Sequence, residues 1–118
     1  MIRYKKPKYN NKKTVVDGIT FDSYKESCRY KELKALEQQG LISELELQKK
    51  YVLIPAQYET INGKRKCVEC QISYYADFVY TDAQGETVVE DVKGKKTKEY
   101  IIKRKLMLFV FGTKIKEV

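Results

Sequence analysis

The chemistry in this sequence is concentrated between Tyr75 and Lys93, where charged residues interrupt two apolar runs. Asp77 lies within Tyr75-Ala76-Asp77-Phe78-Val79-Tyr80, and Asp91 and Lys93 close Thr87-Val88-Val89-Glu90-Asp91-Val92-Lys93. Aspartate and lysine are poor strand residues, and a buried charge is costly unless it is paired or bound to a metal. The intervening Asp82-Ala83-Gln84-Gly85 is a turn, and Ala83-Gln84-Gly85 suits a three-residue hairpin loop with glycine in the left-handed position. That loop sets Asp82 opposite Glu86, Asp77 opposite Asp91, and Tyr75 opposite Lys93. A two-residue loop would bring Glu90 to Asp77 instead, so the choice between Glu90 and Asp91 rests on the register. Two opposed carboxylates repel each other. With a divalent cation between them they become hard oxygen ligands for Mg²⁺ or Mn²⁺. A lysine two residues on can hold an attacking water and offset phosphate charge. The chemistry this predicts is metal-assisted phosphodiester hydrolysis.

Composition narrows the alternatives. The 118 residues contain no His, which excludes imidazole acid–base catalysis, His–metal sites and every His-dependent triad. Lys and Arg total 24 against 16 Asp and Glu, a net charge of +8 that points to a polyanionic partner. Three Cys, an odd number, argue against a disulfide framework and for a reducing, cytoplasmic compartment. No apolar run approaches the ~20 residues of a membrane span. Residues 1–13 hold six Lys or Arg and no acid, and lack the apolar stretch of a secretory signal. They read as a flexible basic arm able to touch phosphates, ahead of a single domain over 14–118.

The elements that must position the charges follow from local signals. Thr14 to Phe21 reads as a short turn around Asp17-Gly18. Ser23 with Glu26 is a Ser-x-x-Glu capping box opening a helix, whose apolar face is expected from Tyr24, Cys28, Leu33, Ala35 and Leu36 and whose stop is Gly40. Leu45 to Ile54 is a strand ended by Pro55. Asn62-Gly63 is a tight turn between Tyr58–Ile61 and Lys64–Cys67. A long strand spans Cys70 to Tyr80 and another Thr87 to Lys93. Thr97 caps a second helix over 98–111, with Ile102, Leu106, Phe109 and Val110 as its buried stripe. Gly112 stops that helix and Lys114 to Val118 is a last strand. The order predicts an α/β fold, a mixed β-sheet flanked by two helices.

Asp77 followed by Asp91-Val92-Lys93 resembles the PD-(D/E)XK nuclease signature. That superfamily shares a restriction-endonuclease-like core of helix, three antiparallel strands, helix and last strand, the order predicted above. Archaeal Holliday-junction resolvases in it add a carboxylate from the first helix, and Glu26 is the matching position. The fuller pattern is Phe21-Asp22-Ser23-Tyr24-Lys25-Glu26, Leu45-Glu46-Leu47-Gln48, Tyr75-Ala76-Asp77-Phe78 and Val89-Glu90-Asp91-Val92-Lys93-Gly94. It is similar to a family of short phage and prophage proteins long described only as of unknown function, over about Lys8 to Val118. Ala76 departs from the motif, which has Pro before the first Asp. The resemblance implies that Asp77 and Asp91 bind the metal, with the Val92 carbonyl as a further ligand and Glu26 completing the shell. Lys93 would orient the nucleophile, with Gln48 as an accessory polar group.

Each residue also has a plainer role. Glu26 can be only the capping partner of Ser23, and Gln48 only a polar strand residue. Asp91 and Lys93 can sit on a solvated strand face, and Asp77 can be a strand-end residue. Cys67-Val68-Glu69-Cys70 lacks the four ligands of a structural zinc. Lys95, Lys96, Lys98, Lys103, Arg104 and Lys105 are either a solvated helix face or DNA contacts. The resulting expectation is a Mg²⁺- or Mn²⁺-dependent endodeoxyribonuclease of a phage- or prophage-carrying bacterial host, acting on branched or structured DNA as a homodimer. A DNA-binding or regulatory protein that keeps the fold without turnover is the alternative, and a small basic RNA-binding module is a third.

Overall fold

Turn and cap chemistry places most element boundaries. The structure, a computed structural model, describes residues 13–93 and 95–118; all but Lys13 of the expected basic arm lies outside the described residues. The stretch expected as a turn near the start is a two-stranded hairpin, β1 (Thr14–Val16) and β2 (Ile19–Phe21). Asp17 at φ 53° and Gly18 at φ 75° form its tight turn, in which both central residues need the left-handed region.

Helix α1 (Tyr24–Gln38) starts where Ser23 Oγ accepts the Glu26 amide at 3.1 Å. It stops at Gly40, whose φ of 76° lets the Leu41 amide reach back to the Leu36 carbonyl at 3.0 Å. Its buried face is Glu26, Ser27, Tyr30 and Leu33; of the expected Tyr24, Cys28, Leu33, Ala35 and Leu36, Leu33 is buried and Leu36 packs beside it, whereas Ala35 is exposed and Tyr24 is 65% exposed. The real stripe contains a carboxylate and a serine, which a search for apolar periodicity passes over.

Strand β3 (Ser43–Ile54) leads into the hairpin β4 (Gln57–Ile61) and β5 (Lys64–Glu69), and the chain returns along β6 (Ile72–Thr81). Asp82-Ala83-Gln84-Gly85 then turns it into β7 (Thr87–Asp91). The expected register holds: Phe78 faces Glu90 and Thr81 faces Thr87, with the Asp82 amide bonded to the Glu86 carbonyl at 2.8 Å. β7 ends at Asp91 rather than Lys93, although the Lys93 amide still reaches the Val118 carbonyl at 3.3 Å. Thr97 Oγ1 caps α2 (Lys98–Phe111), which crosses back to β8 (Lys116–Glu117), a strand shorter than expected and parallel to β7.

The main sheet is mixed and four-stranded, ordered β3-β6-β7-β8. Tyr30 and Leu33 of α1 pack with Phe21, Ile42, Phe78 and Tyr80 on one face. Tyr100 and Met107 of α2 pack with Leu53, Tyr74, Ala76, Val79, Val89 and Ile115 on the other. Of the stripe expected on α2, Leu106 packs against the sheet, but Ile102 is 59% and Phe109 87% exposed, and Val110 is exposed too. Leu106 to Phe111 is apolar all round, so periodicity cannot say which side the sheet takes. Among the described residues no helix is long and apolar enough to cross a membrane.

One irregularity runs through β3 and β6 together. Leu45 and Leu47 pack on the α1 side, but Tyr51 and Leu53 on the α2 side. Likewise Ala76 lies on the α2 side and Phe78 on the α1 side. Residues two apart in a regular strand share a face, so both strands exchange faces. The exchange is bracketed by Gln48 and Asp77, and Gln48 has the left-handed φ of 52°. A non-glycine residue held there costs about 1–3 kcal/mol and persists only where its surroundings over-determine it.

Candidate active site

The face exchange gathers side chains from four elements. Gln48 Nε2 donates to Asp77 Oδ1 at 3.1 Å and to Glu26 Oε1 at 3.4 Å, so β3 bridges α1 to β6. Asp77 Oδ2 accepts the Val92 amide at 2.9 Å, which draws the end of β7 against β6. Asp91, 1% exposed, accepts the Tyr74 hydroxyl at 2.7 Å through Oδ2. Lys93 Nζ lies 3.4 Å from the same oxygen, and 4.5 Å from the centre of the Tyr100 ring. Glu26, Gln48, Asp77, Asp91 and Lys93, all chosen from the sequence, thus share one neighbourhood. Tyr74 and Tyr100 belong to it as well and were missed. Tyrosines spread along strands and helices carry no local signal for such a role.

Glu26 is not spent on the helix cap. Its amide bonds to Ser23, but among the described residues no return bond from its carboxylate to the Ser23 amide forms. The carboxylate turns inward and is almost buried. Burial, then the nearby Asp77 charge, pushes its pKa up to about 7. Asp91 is also raised to about 7, by burial first and then by its contact with Asp77; Tyr74 and Lys93 oppose the rise. Burial and the Asp91 bond hold the Tyr74 phenol well above its ordinary range, so it stays a donor.

Glu90 takes the other role open to it. It is fully buried on the α1 side and held by Arg29, whose Nε and Nη2 reach its two oxygens at 2.7 Å each. The Tyr80 hydroxyl donates to it too, and Lys116 Nζ lies 3.9 Å away. Burial alone would raise the Glu90 pKa, but the Arg29 fork and the Tyr80 hydroxyl hold it below the usual carboxylate value. Glu90 is therefore a structural anchor, and Asp91 is the carboxylate that faces Asp77.

The donor chemistry suits a small hard cation. Asp77 and Asp91 offer oxygens from adjacent strands, and the burial and Asp77 charge that raise Asp91 and Glu26 are costs a bound cation would offset. Among the described residues no group of three or more His, Cys, Asp or Glu side chains is arranged to hold a metal ion. Two carboxylates are the usual protein share for Mg²⁺, which keeps waters and takes substrate phosphates for the rest.

The basic residues are more dispersed. Lys103 pairs with Glu99 at 3.1 Å, and Lys96 and Arg104 each reach Glu117 at 3.4 Å. Lys95, Lys98 and Lys105 are exposed. Six of the 24 Lys and Arg lie in residues 1–13, which hold no acid, so residues 14–118 carry a net charge of only +2. Cys67 and Cys70 are exposed free thiols.

The raised carboxylates dictate an unusual pH response. Glu26 and Asp91 bind protons more tightly in the folded chain than at the 4.5 and 3.8 of the free groups. Their contribution to stability is therefore greatest in acid and is lost as pH rises from about 4 to about 7. The lowered groups Glu37, Glu90 and Glu117 lose stability only as pH falls through the carboxylate range. With no His in the chain, the site dominates between pH 5 and 7. The expected outcome is a urea midpoint, measured in EDTA, that is higher at pH 5 than at pH 7, with millimolar Mg²⁺ narrowing the gap. A midpoint that rises over that interval contradicts the arrangement.

A family model described as Protein of unknown function (DUF1064) matches residues 6–117. No curated protein and no solved structure matches the chain.

Proposed function

The chain belongs to this DUF1064 family, and from its site we propose a Mg²⁺- or Mn²⁺-dependent endodeoxyribonuclease with a restriction-endonuclease-like core of the PD-(D/E)XK kind. The observation that carries the reading is the placing of Asp77 and Asp91 on adjacent strands beside Lys93, with Gln48 linking Asp77 to Glu26. Asp77, Asp91 and the Val92 carbonyl would hold the cation, with Glu26 placed behind Gln48 to reach it through water. When bound, the cation supplies charge neutralisation at the phosphate and acidifies water. The protein's own part is positioning. Lys93, anchored by Asp91 and the Tyr100 ring, presents N–H donors to a water or a phosphate oxygen. Tyr74 holds one Asp91 oxygen and leaves the other free to turn toward Asp77.

The substrate class we favour is branched or structured DNA. The described residues form one small α/β unit with no separate sequence-reading domain, which favours recognition by shape. Cutting two strands needs two sites, and a symmetric homodimer supplies them. The exposed Ile102, Leu108 and Phe109 of α2 give such a dimer an apolar face. A non-catalytic DNA-binding protein is the second reading, favoured by the absence of a three-carboxylate cluster among the described residues.

A panel of linear, nicked and four-way DNA, incubated with Mg²⁺, Mn²⁺ or EDTA, separates the two. Cleavage of at least one shape that needs the cation is expected. Tight binding with no cleavage of any shape supports the second reading instead.

A further inference from the structure

The β4–β5 hairpin stands apart from both hydrophobic clusters. Every residue from Gln57 to Glu69 is exposed, so the ribbon contributes no buried side chain to the core. Isolated two-stranded hairpins are marginal in water, and this one is carried by the strands below it. Its returning strand begins Lys64-Arg65-Lys66, directly after the Asn62-Gly63 tip. Among the described residues none of these three forms an ion pair, although Glu59 lies across from Lys66. On α2, by contrast, Lys103 and Arg104 are each paired with a carboxylate. The Arg65 guanidinium lies 3.9 Å over the Tyr58 ring. Stacking of that kind uses the flat face of the group and keeps the in-plane donors for another partner.

Geometry ties the ribbon to the carboxylates. β3 and β6 run from Gln48 and Asp77 directly into it. From Gln48 to Glu59, opposite Lys66, the chain spans at most roughly 36–40 Å at full extension. One turn of duplex is about 34–36 Å, and a major groove admits a two-stranded β-ribbon.

We propose that the β4–β5 ribbon is a second DNA contact, entering a groove of double-stranded DNA within about one helical turn of the phosphate at the carboxylate site. The placement rests on the nuclease reading of the site, whereas binding by the ribbon can be measured without cleavage.

The test uses the full chain in EDTA, with anisotropy of a labelled duplex of about 40 base pairs followed over a salt series. K64A/R65A/K66A is compared with the wild type and with a charge-matched control, K31A/K34A/K114A. The ribbon variant is expected to bind about tenfold or more weakly. Its slope of log K against log salt should fall by about 2–3, since each phosphate contact contributes about 0.9. The control should keep nearly the wild-type slope, and circular dichroism melts should show all three proteins folded. The proposal is overturned by an unchanged slope, an equal loss in the control, or no binding of duplex by the wild type. Single-stranded DNA or RNA binding as tightly as duplex overturns the groove assignment. A variant that sediments as a smaller species with its salt slope intact assigns the ribbon to self-association instead. If the ribbon variant loses its slope but the wild type never cleaves with Mg²⁺, the ribbon contact stands and the nuclease reading falls.

Discussion

Asp91→Asn is expected to abolish cation-dependent cleavage while making the metal-free protein harder to unfold. The side chain is 1% exposed, faces Asp77, and is raised to about 7 by burial and by that neighbour. Above pH 7 its charge is therefore held against the folding equilibrium. Asparagine keeps an acceptor for the Tyr74 hydroxyl and removes the charge, so a gain of about 1–2 kcal/mol at pH 8 is expected, shrinking as pH falls and vanishing only below about pH 4. On the activity side, loss of Asp91 as the proposed cation ligand would remove several kcal/mol of charge stabilisation. That corresponds to a loss on the order of a thousandfold or more in rate. Parallel urea titrations and single-turnover cleavage by purified protein measure both effects. Wild-type turnover would dismiss Asp91 as a ligand. A large stability loss at pH 8 would make it a folding residue instead.

Arg29→Ala is expected to be the most damaging single change outside the site. Glu90 has no exposed surface, and the Arg29 fork supplies both of its close cationic contacts. Removing the guanidinium leaves a buried carboxylate with the Tyr80 hydroxyl and a more distant Lys116. Breaking a buried pair in this way costs about 3–5 kcal/mol. In a chain of this size that is a fall of roughly 10–20 °C in Tm. The combined change Arg29→Met with Glu90→Leu should recover most of the loss, because an apolar replacement leaves no charge behind. Scanning calorimetry of the two variants decides it: a shift below 3 °C for Arg29→Ala would show that Glu90 is not held by Arg29.

These two outcomes separate what is legible in the sequence from what is not. The register of β6 against β7 follows from Gly85, because a three-residue loop with a left-handed glycine permits only one pairing. Both helix starts follow from Ser23 and Thr97 for the same reason: a side chain within three residues completes the backbone. Asp77, Asp91 and Lys93 could be placed together once that register was set. Glu26 and Gln48 came with them through the family resemblance. The Arg29–Glu90 lock could not be foreseen, since its partners are 61 residues apart and Arg29 carries no local signal that points to Glu90. The buried faces of α1 and α2 were misjudged for a related reason. On α1 the inward face carries Glu26 and Ser27, and on α2 the apolar residues surround the last turns. In both helices the sheet, not the hydropathy, decides which side is covered.

The exchange of faces at Gln48 and Asp77 also bears on how the molecule comes apart. Each hydrophobic layer changes strands' allegiance at the same pair of residues, so neither layer can melt alone without disturbing the carboxylates. A fragment retaining α1 and its half of the packing would lose Tyr74 and Tyr100, which hold Asp91 and Lys93, and one retaining α2 would lose Glu26. A cation bound there, as proposed, would touch both layers at once and act as a clasp for the whole unit.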